Sequence, residues 1–381
     1  MPVLTCGGMR YQQGWQDLTP EKIDPKIQDN LEACVHRALE LGVNHIETAR
    51  GYGPSEMQLG MVLPKIDRDA FMIQTKIGVK QTAREFLETF ETSMNHLGLE
   101  HVDFLSIHGI HTFDNLETCM KKGGCVDAVR QLQKEGRVRF CGFSTHGSPE
   151  IVTPVCETGE FDYVNLHWYF IYDPVHWPMV AAANKQDMGV FIISPNDKGG
   201  MLFNPTEKMS ALCDPLTPMQ WHDLFCLSRP EVHTLSIGAA RPSDFDQHAA
   251  AVVNHWNDPM IGEIETRVRQ SMEAELGAEW VRHWHENLPH FTACPGQINV
   301  MDILRLWTFD QAGIIDEFAA TRYNLIGTAG DWMPGQKATD VDARDWSCLS
   351  GNRFADRIPT ILKEAHALYY SEKEVKRLSE S

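Results

Sequence analysis

Eight short apolar runs, separated by segments of helical period, constrain this chain more than any other feature. They are Val3–Gly7, His45–Thr48, Phe71–Lys76, Val102–His108, Val138–Ser144, Tyr163–Trp168, Gly189–Ser194 and Thr234–Gly238. Their apolar content is nearly continuous, as in parallel strands buried on both faces. Between them, Asn30–Leu41, Thr82–Leu97 and Val126–Glu135 read as helices, each followed by a glycine suited to a helix C-terminus (Gly42, Gly98, Gly136). Ser148 is predicted to cap a helix from Pro149 to Glu157, with proline in its first turn. Strands alternating with helices make parallel βαβ units. Eight such units in about 250 residues imply a (β/α)8 TIM barrel. A doubly wound open sheet is disfavoured, because no GxGxxG follows the first run.

The pattern changes near Asp258. Glu263–Asn287 reads as one long amphipathic helix with Trp280 and Trp284 on a shared face, and Val300–Trp307 and Pro359–Tyr370 also read as helical. The expected division is a barrel over residues 1–257 and a mostly helical module over residues 258–381.

Charge narrows the partners. The formal net charge of -18 argues against nucleic acid and against an anionic membrane surface, since both demand a basic face. A small anionic cofactor is still compatible with a local basic pocket. No apolar segment approaches the roughly 20 residues that span a bilayer. The start, MPVLTCGGMRYQQ, has no apolar run preceded by positive charge, so no signal peptide is expected. The ten cysteines are scattered without a CxxC, which suggests reduced thiols in a cytoplasmic setting. The HWHEN run at His283–Asn287 does not match a zinc-ligand spacing, and no metal site is expected.

Four titratable residues fall at or just beyond the ends of different runs: Glu47, Tyr52, Lys76 and His108. In a parallel barrel the C-terminal strand ends form one mouth, where chemistry is done. A phenol, an ammonium, an imidazole and a carboxylate gathered there can protonate a carbonyl oxygen. Free tyrosine titrates near ~10, and a nearby ammonium lowers that value. Tyr52 is therefore the expected acid, Lys76 its tuning cation, Glu47 the partner of Lys76, and His108 the group that orients the carbonyl. His111, three residues further on, is the competing imidazole. Trp168, Tyr169 and Tyr172 follow the sixth run and suit either a substrate wall or core packing.

These segments resemble the aldo-keto reductases. HIETARGYGPSEMQLG is similar to the family's signature, IQTK to its lysine strand and VDFLSIH to its histidine strand. GFSTHG and Tyr163–Trp168 fall where the family holds nicotinamide. ISPNDKGGML resembles its seventh strand and loop, and SIGAARPSDFDQ its eighth. The resemblance covers about residues 1–250. It departs at Glu47, where aspartate is usual, at Asn165, where glutamine is common, and at Thr145, where asparagine is common.

The resemblance implies a nicotinamide cofactor, NADP(H) rather than NAD(H), with Arg241 the partner for a 2′-phosphate. It assigns Gly8, Met9 and Arg10 after the first strand to that cofactor, and Ser144, Thr145 and Asn165 to its carboxamide. Ser194, Pro195 and Lys198 in the seventh loop, and Gly238, Arg241, Asp244 and Gln247 in the eighth, would meet its phosphates, where backbone amides and a helix start favour anions. The small-molecule partner implied is an aldehyde or ketone.

The C-terminal segments CPGQINVMDILRLW and WSCLSGNRFADRIPTILKEA resemble a ferredoxin-type module fused to some members of that family. Only Cys294 and Cys348 stand at its cysteine places, with Arg353 and Asp356 where further cysteines would be expected. A [4Fe–4S] cluster normally needs four thiolates, so no iron–sulfur cluster is expected. The implied activity is NAD(P)H-dependent carbonyl reduction. The alternative is a barrel that binds the cofactor as a redox sensor or regulatory module with little turnover.

Overall fold

The computed structural model describes residues 1–197 and 200–372. Eight parallel strands close into a barrel in sequence order: β1 Leu4–Gly7, β2 His45–Glu47, β3 Met72–Gly78, β4 Val102–His108, β5 Val138–Ser144, β6 Tyr163–Leu166, β7 Gly189–Ile193 and β8 Thr234–Ile237. Closure runs through Leu4 opposite Leu235. The fold is a (β/α)8 TIM barrel, as the alternation predicts. β3 is longer than expected. It continues two residues past Lys76, because Ile77 and Gly78 pair with Ile107 and His108 of β4.

Local signals account for the surrounding helices. Asp24 caps Pro25–Glu40 by accepting from the Lys26 amide. Thr82 and Glu85 form a reciprocal capping box before Ala83–Leu97, which ends at Gly98 with φ 65°. Ser148 does precede Pro149–Glu157, but its side chain makes no capping bond, contrary to expectation.

The barrel interior is layered. Met72, Phe104, Phe140, Tyr163 and Phe191 plug the lower end. Above them lies a polar layer. Thr5 Oγ1 bonds both His45 Nδ1 and Thr234 Oγ1 at 2.9 Å. Gln74 Nε2 donates to Asn165 Oδ1 at 2.7 Å and to Ser106 Oγ at 3.0 Å. The next inward positions up the strands are Glu47, Lys76, His108 and Ser144, in accord with the two-residue period of strand faces.

The chain forms two compact units. The first holds Met1–Gly200 and His222–Trp256, and so the barrel. The second takes in Met201–Trp221, from the segment between β7 and β8, together with the chain from Asn257 onward. Within the second unit, Trp221 Nε1 donates to Ile261 O at 3.2 Å and Thr206 Oγ1 to Gly313 O at 2.9 Å. This unit is helical. The helix expected over Glu263–Asn287 is broken into Met260–Leu276 and Ala278–His283, because Gly277 takes φ 85° between them. Trp280 packs edge-to-face on Trp307 and donates to Thr308 Oγ1 at 3.0 Å. Cys294 Sγ donates to His290 O at 3.6 Å, and burial together with the neighbouring Cys348 thiol raises its proton affinity. Arg353 forms an exposed pair with Glu279 at 2.8 Å. No helix among the described residues is long and apolar enough to cross a membrane.

Candidate active site

Two backbone bonds extend the β2–β3 pairing beyond β2. Thr48 N donates to Gln74 O at 2.8 Å, and Arg50 N to Lys76 O at 2.9 Å. The chain then turns sharply, with Tyr52 N donating to Ala49 O. Gly53 sits at φ 51°, and a Cβ there would lie 2.4 Å from Gly14 O, so only glycine lets the turn press against the segment after β1. That turn aims Tyr52 back toward Lys76.

Lys76 is the hub. It is 1% exposed, and its ammonium donates to Glu47 Oε1, to Thr48 O at 3.0 Å and to Tyr52 Oη at 3.4 Å. Three protons thus meet three acceptors. Because the phenol oxygen accepts from Lys76, its own proton is left to donate elsewhere. His108 closes the fourth side, its ring edge-to-face with Tyr52 at 5.8 Å. The structure brings all four expected residues together.

The electrostatics differ from expectation at Tyr52. Burial pushes the phenol above its ordinary value. Lys76 pulls it down, but Glu47 pushes it up, and the net direction is upward. The lysine acts in the expected sense and is outweighed. Burial disfavours the Lys76 ammonium, but Glu47 and Tyr52 overcome this and raise it above the usual lysine value.

The expected cofactor residues divide into three groups. Some are committed to the barrel itself. Gly8 donates to Glu47 O at 2.7 Å, and a Cβ would lie 2.7 Å from that same oxygen. Thr145 Oγ1 donates to Ile110 O at 2.7 Å and accepts from Gly147 N at 2.8 Å. Its proton is spent on the loop, so toward a ligand it can act only as an acceptor. Asp244 likewise accepts from the amides of Ala240 and Arg241 and binds the Arg241 guanidinium at 2.8 Å.

Others present unused capacity at the mouth. Asn165 Oδ1 is engaged by Gln74 and by Ser106, but its buried Nδ2 has no partner. Ser144 accepts from Gly109 N at 3.3 Å, and its hydroxyl proton is not used in that bond. Arg10 reaches across to donate to Gly238 O at 2.8 Å, and its guanidinium feels both Arg241 and Asp244. Two arginines therefore gather beside β8 on an acidic chain. Ser194 and Asp197 hold left-handed backbone at φ 57° and 49°, a strain that concentrates at functional loops.

For the rest there is less to say. Met9 lies on the loop after β1, Pro195 is buried in the loop after β7, and Gln247 is half-exposed on the helix Asp244–His255. Lys198 lies outside the described residues.

His111 accepts from the His146 amide at 3.0 Å and stands apart from the Lys76 hub. Trp168, Tyr169 and Tyr172 are all buried, and Trp168 stacks on Phe225 at 5.4 Å. Sequence reasoning missed Arg50 and Glu56, both inside the ARGYGPSE run, and Asn196, which donates to Gly238 O at 3.4 Å. A carboxylate three residues after a turn glycine gives no signal that it will be buried. Among the described residues no group of three or more His, Cys, Asp or Glu is arranged to hold a metal.

Comparison with known proteins agrees with this geometry. The family model described as Aldo/keto reductase family matches residues 3–240. The chain is 23% identical over 305 residues to L-galactose dehydrogenase of Arabidopsis thaliana, covering 69% of this chain and 90% of that protein. It is 22% identical over 309 residues to a putative voltage-gated potassium channel subunit beta of Schizosaccharomyces pombe, covering 67% and 87%. Two solved structures share the fold. One is an aldo-keto reductase of Bacillus halodurans in its holo form, with TM-score 0.55, 18% identity and coverage of 69% of this chain and 91% of that one. The other is a thermostable aldo-keto reductase in complex with the inhibitor epalrestat, with TM-score 0.58, 16% identity and coverage of 70% and 95%. With eight strands closed around a buried lysine hub and a family match spanning the barrel, this chain belongs to the aldo/keto reductase family of oxidoreductases.

Proposed function

We propose that the protein reduces an aldehyde or ketone carbonyl, with Tyr52 as proton donor. The observation that carries this reading is the Lys76 ammonium, held against Glu47, Thr48 and Tyr52 at once. Addition to a carbonyl builds negative charge on oxygen, and an acid placed there relieves it. Tyr52 donates that proton. Lys76 stabilises the phenolate left behind, and Glu47 keeps Lys76 charged and in place. His108, edge-on to Tyr52, donates a hydrogen bond to the carbonyl oxygen and orients it.

A nicotinamide cofactor, when bound, supplies the hydride. The residues present fit such a group. The unpartnered Asn165 Nδ2 suits a carboxamide oxygen, with Ser144 beside it in register. Arg10, Ser194, Pro195, Gly238, Arg241 and Gln247 would hold its phosphates. Arg241, largely exposed and steadied by Asp244, favours NADP(H) over NAD(H).

Tyr52→Phe tests the assignment. Carbonyl reduction should fall by about 10²–10⁴-fold, the usual contribution of a positioned acid. Cofactor affinity, read from NADPH fluorescence, should stay within a few-fold. If the variant keeps most of its kcat, Tyr52 is not the acid.

A second reading, a cofactor-binding regulatory barrel with little turnover, draws support from the relative named as a channel subunit. Mixing NADPH-loaded protein with a reactive aldehyde separates the two. Oxidation of one equivalent of NADPH within seconds favours the reductase, and its persistence favours the regulator.

A further inference from the structure

The Tyr52 turn is held by a second charged assembly, on the opposite face of the barrel wall from the Lys76 hub. Thr75 precedes Lys76 on β3, so its side chain points outward while Lys76 points in. Thr75 Oγ1 donates to Glu56 Oε1 at 2.6 Å. Glu56 is fully buried, and its other oxygen accepts from Arg50 Nη1 at 3.4 Å. Arg50 in turn donates its backbone N–H to Lys76 O at 2.9 Å. The contacts close a ring: Lys76 to Arg50 through the backbone, Arg50 to Glu56, Glu56 to Thr75, and Thr75 to Lys76 along the chain. Tyr52 lies two residues beyond Arg50.

A second guanidinium nitrogen, Nη2, donates to Asp17, on the segment that follows β1. That segment also presses on the turn. Its Trp15 meets the Tyr52 ring edge-on at 6.3 Å, and its Gly14 backbone meets Gly53. His96 stands 3.9 Å from Glu56 Oε2. Arg50 is thus bracketed by a buried carboxylate behind and an exposed one in front.

We infer that Arg50 is a positioning residue for the reaction, pinning the Tyr52 turn to the Lys76 strand through Glu56 and to the Trp15 segment through Asp17. This rests on the reading of Tyr52 as the acid. A planar guanidinium can hold two carboxylates in fixed directions, which a lysine ammonium cannot do in the same geometry. Displacing a reacting group by about 1 Å can lower a rate by about 10²-fold.

The experiment uses the intact chain and five variants: Arg50→Ala, Arg50→Lys, Glu56→Gln, Asp17→Asn and the double variant Arg50→Ala with Glu56→Gln, with Tyr52→Phe as reference. Arg50→Ala should lower kcat by about 10–10²-fold, while substrate KM and NADPH Kd stay within about three-fold. Arg50→Lys should recover part of the loss. The double variant Arg50→Ala with Glu56→Gln should be no worse than Arg50→Ala alone, since coupled residues do not add. Should Arg50→Ala fail to fold, the exposed Asp17→Asn decides, with an expected kcat loss of about two- to five-fold at an unchanged melting midpoint.

Unchanged kcat in Arg50→Ala, or in Asp17→Asn where that variant decides, overturns the inference. So do losses that multiply in the double variant, and so does a loss appearing in KM alone. Full activity in Tyr52→Phe overturns the acid assignment and this inference with it. Activity lost in Tyr52→Phe but kept in Arg50→Ala overturns this one alone.

Discussion

The Lys76 ammonium is almost wholly out of water, and that sets both its energetics and its chemistry. Breaking a buried ion pair by removing one partner costs about 3–5 kcal/mol, because the survivor keeps an uncompensated charge. Lys76 must therefore stay paired to be stable, and the pair fixes the ammonium against the phenol. The Tyr52 proton affinity is then a balance: burial and Glu47 raise it, and Lys76 lowers it. Lys76→Met removes the only downward contribution among these. The phenol should become a weaker acid, so kcat for reduction falls. In the proposed role of Tyr52 as acid the phenol must be protonated, so the alkaline limb of the kcat–pH profile should also move to higher pH. A pH titration of kcat checks this, and an unmoved limb would reject the coupling.

At the scale of elements, the polar layer beneath the site carries a pH dependence of its own. His45, on β2, lies between Phe104 and Phe191, and burial drops it from 6.5 to about 4. His222, on the helix Pro218–Leu227, is also buried and drops to about 4. Both are neutral in the fold. Between pH 6.5 and about 4 the unfolded chain binds protons that the folded chain does not. Stability is therefore full above the unfolded value and is lost as pH falls through that window. Across that whole window each histidine lowers stability by roughly 3 kcal/mol. The melting midpoint should fall steeply from pH 6.5 toward 4, and His45→Gln or His222→Gln should each flatten the descent. An equal slope in both variants would assign the acid sensitivity to other groups.

At the scale of the whole molecule, Met201–Trp221 leaves the barrel sequence yet belongs to the second unit. Its hydrogen-bond partners there are Ile261 and Gly313, Lys208 pairs with Glu275, and Arg267 donates to Asp214 O. A chain truncated after Trp256 keeps this segment but loses those partners. Burying a large apolar side chain is worth about 1.5–3 kcal/mol, and Trp221 and Met209 are both buried. The truncated protein should melt at lower temperature and bind more of a hydrophobic dye such as ANS. Equal melting would show that the segment does not depend on the C-terminal chain. The second unit also bears on metal content. Cys294 and Cys348 are near enough to feel each other's charge, but two thiolates are half of what a [4Fe–4S] cluster requires. Protein made anaerobically with iron supplied should carry none. Iron near four per chain, with broad absorbance near ~400 nm, would sink that expectation.

The eight strands, their order and the four residues of the Lys76 hub were legible in the sequence, because strand period, helix caps and strand-end position are local properties. A run such as VDFLSIH carries its own burial pattern, and a residue at its end must face the mouth once the sheet closes. What the local pattern could not contain was the use of each side chain. Thr145 reads as a ligand contact of either polarity, and only the fold shows that Ile110 O takes its proton. Glu56 carries no local sign of burial, but Thr75 and Arg50 both reach it on the outer face of the barrel wall. Gly277 falls inside the single amphipathic helix expected over Glu263–Asn287, but at φ 85° it ends one. Met201–Trp221 is contiguous with the barrel in sequence, but its partners Ile261 and Gly313 come 40 and 107 residues later. Each of these depends on which distant segments barrel closure and helix packing bring into contact. Partner choice and burial, unlike period, are set by tertiary structure alone.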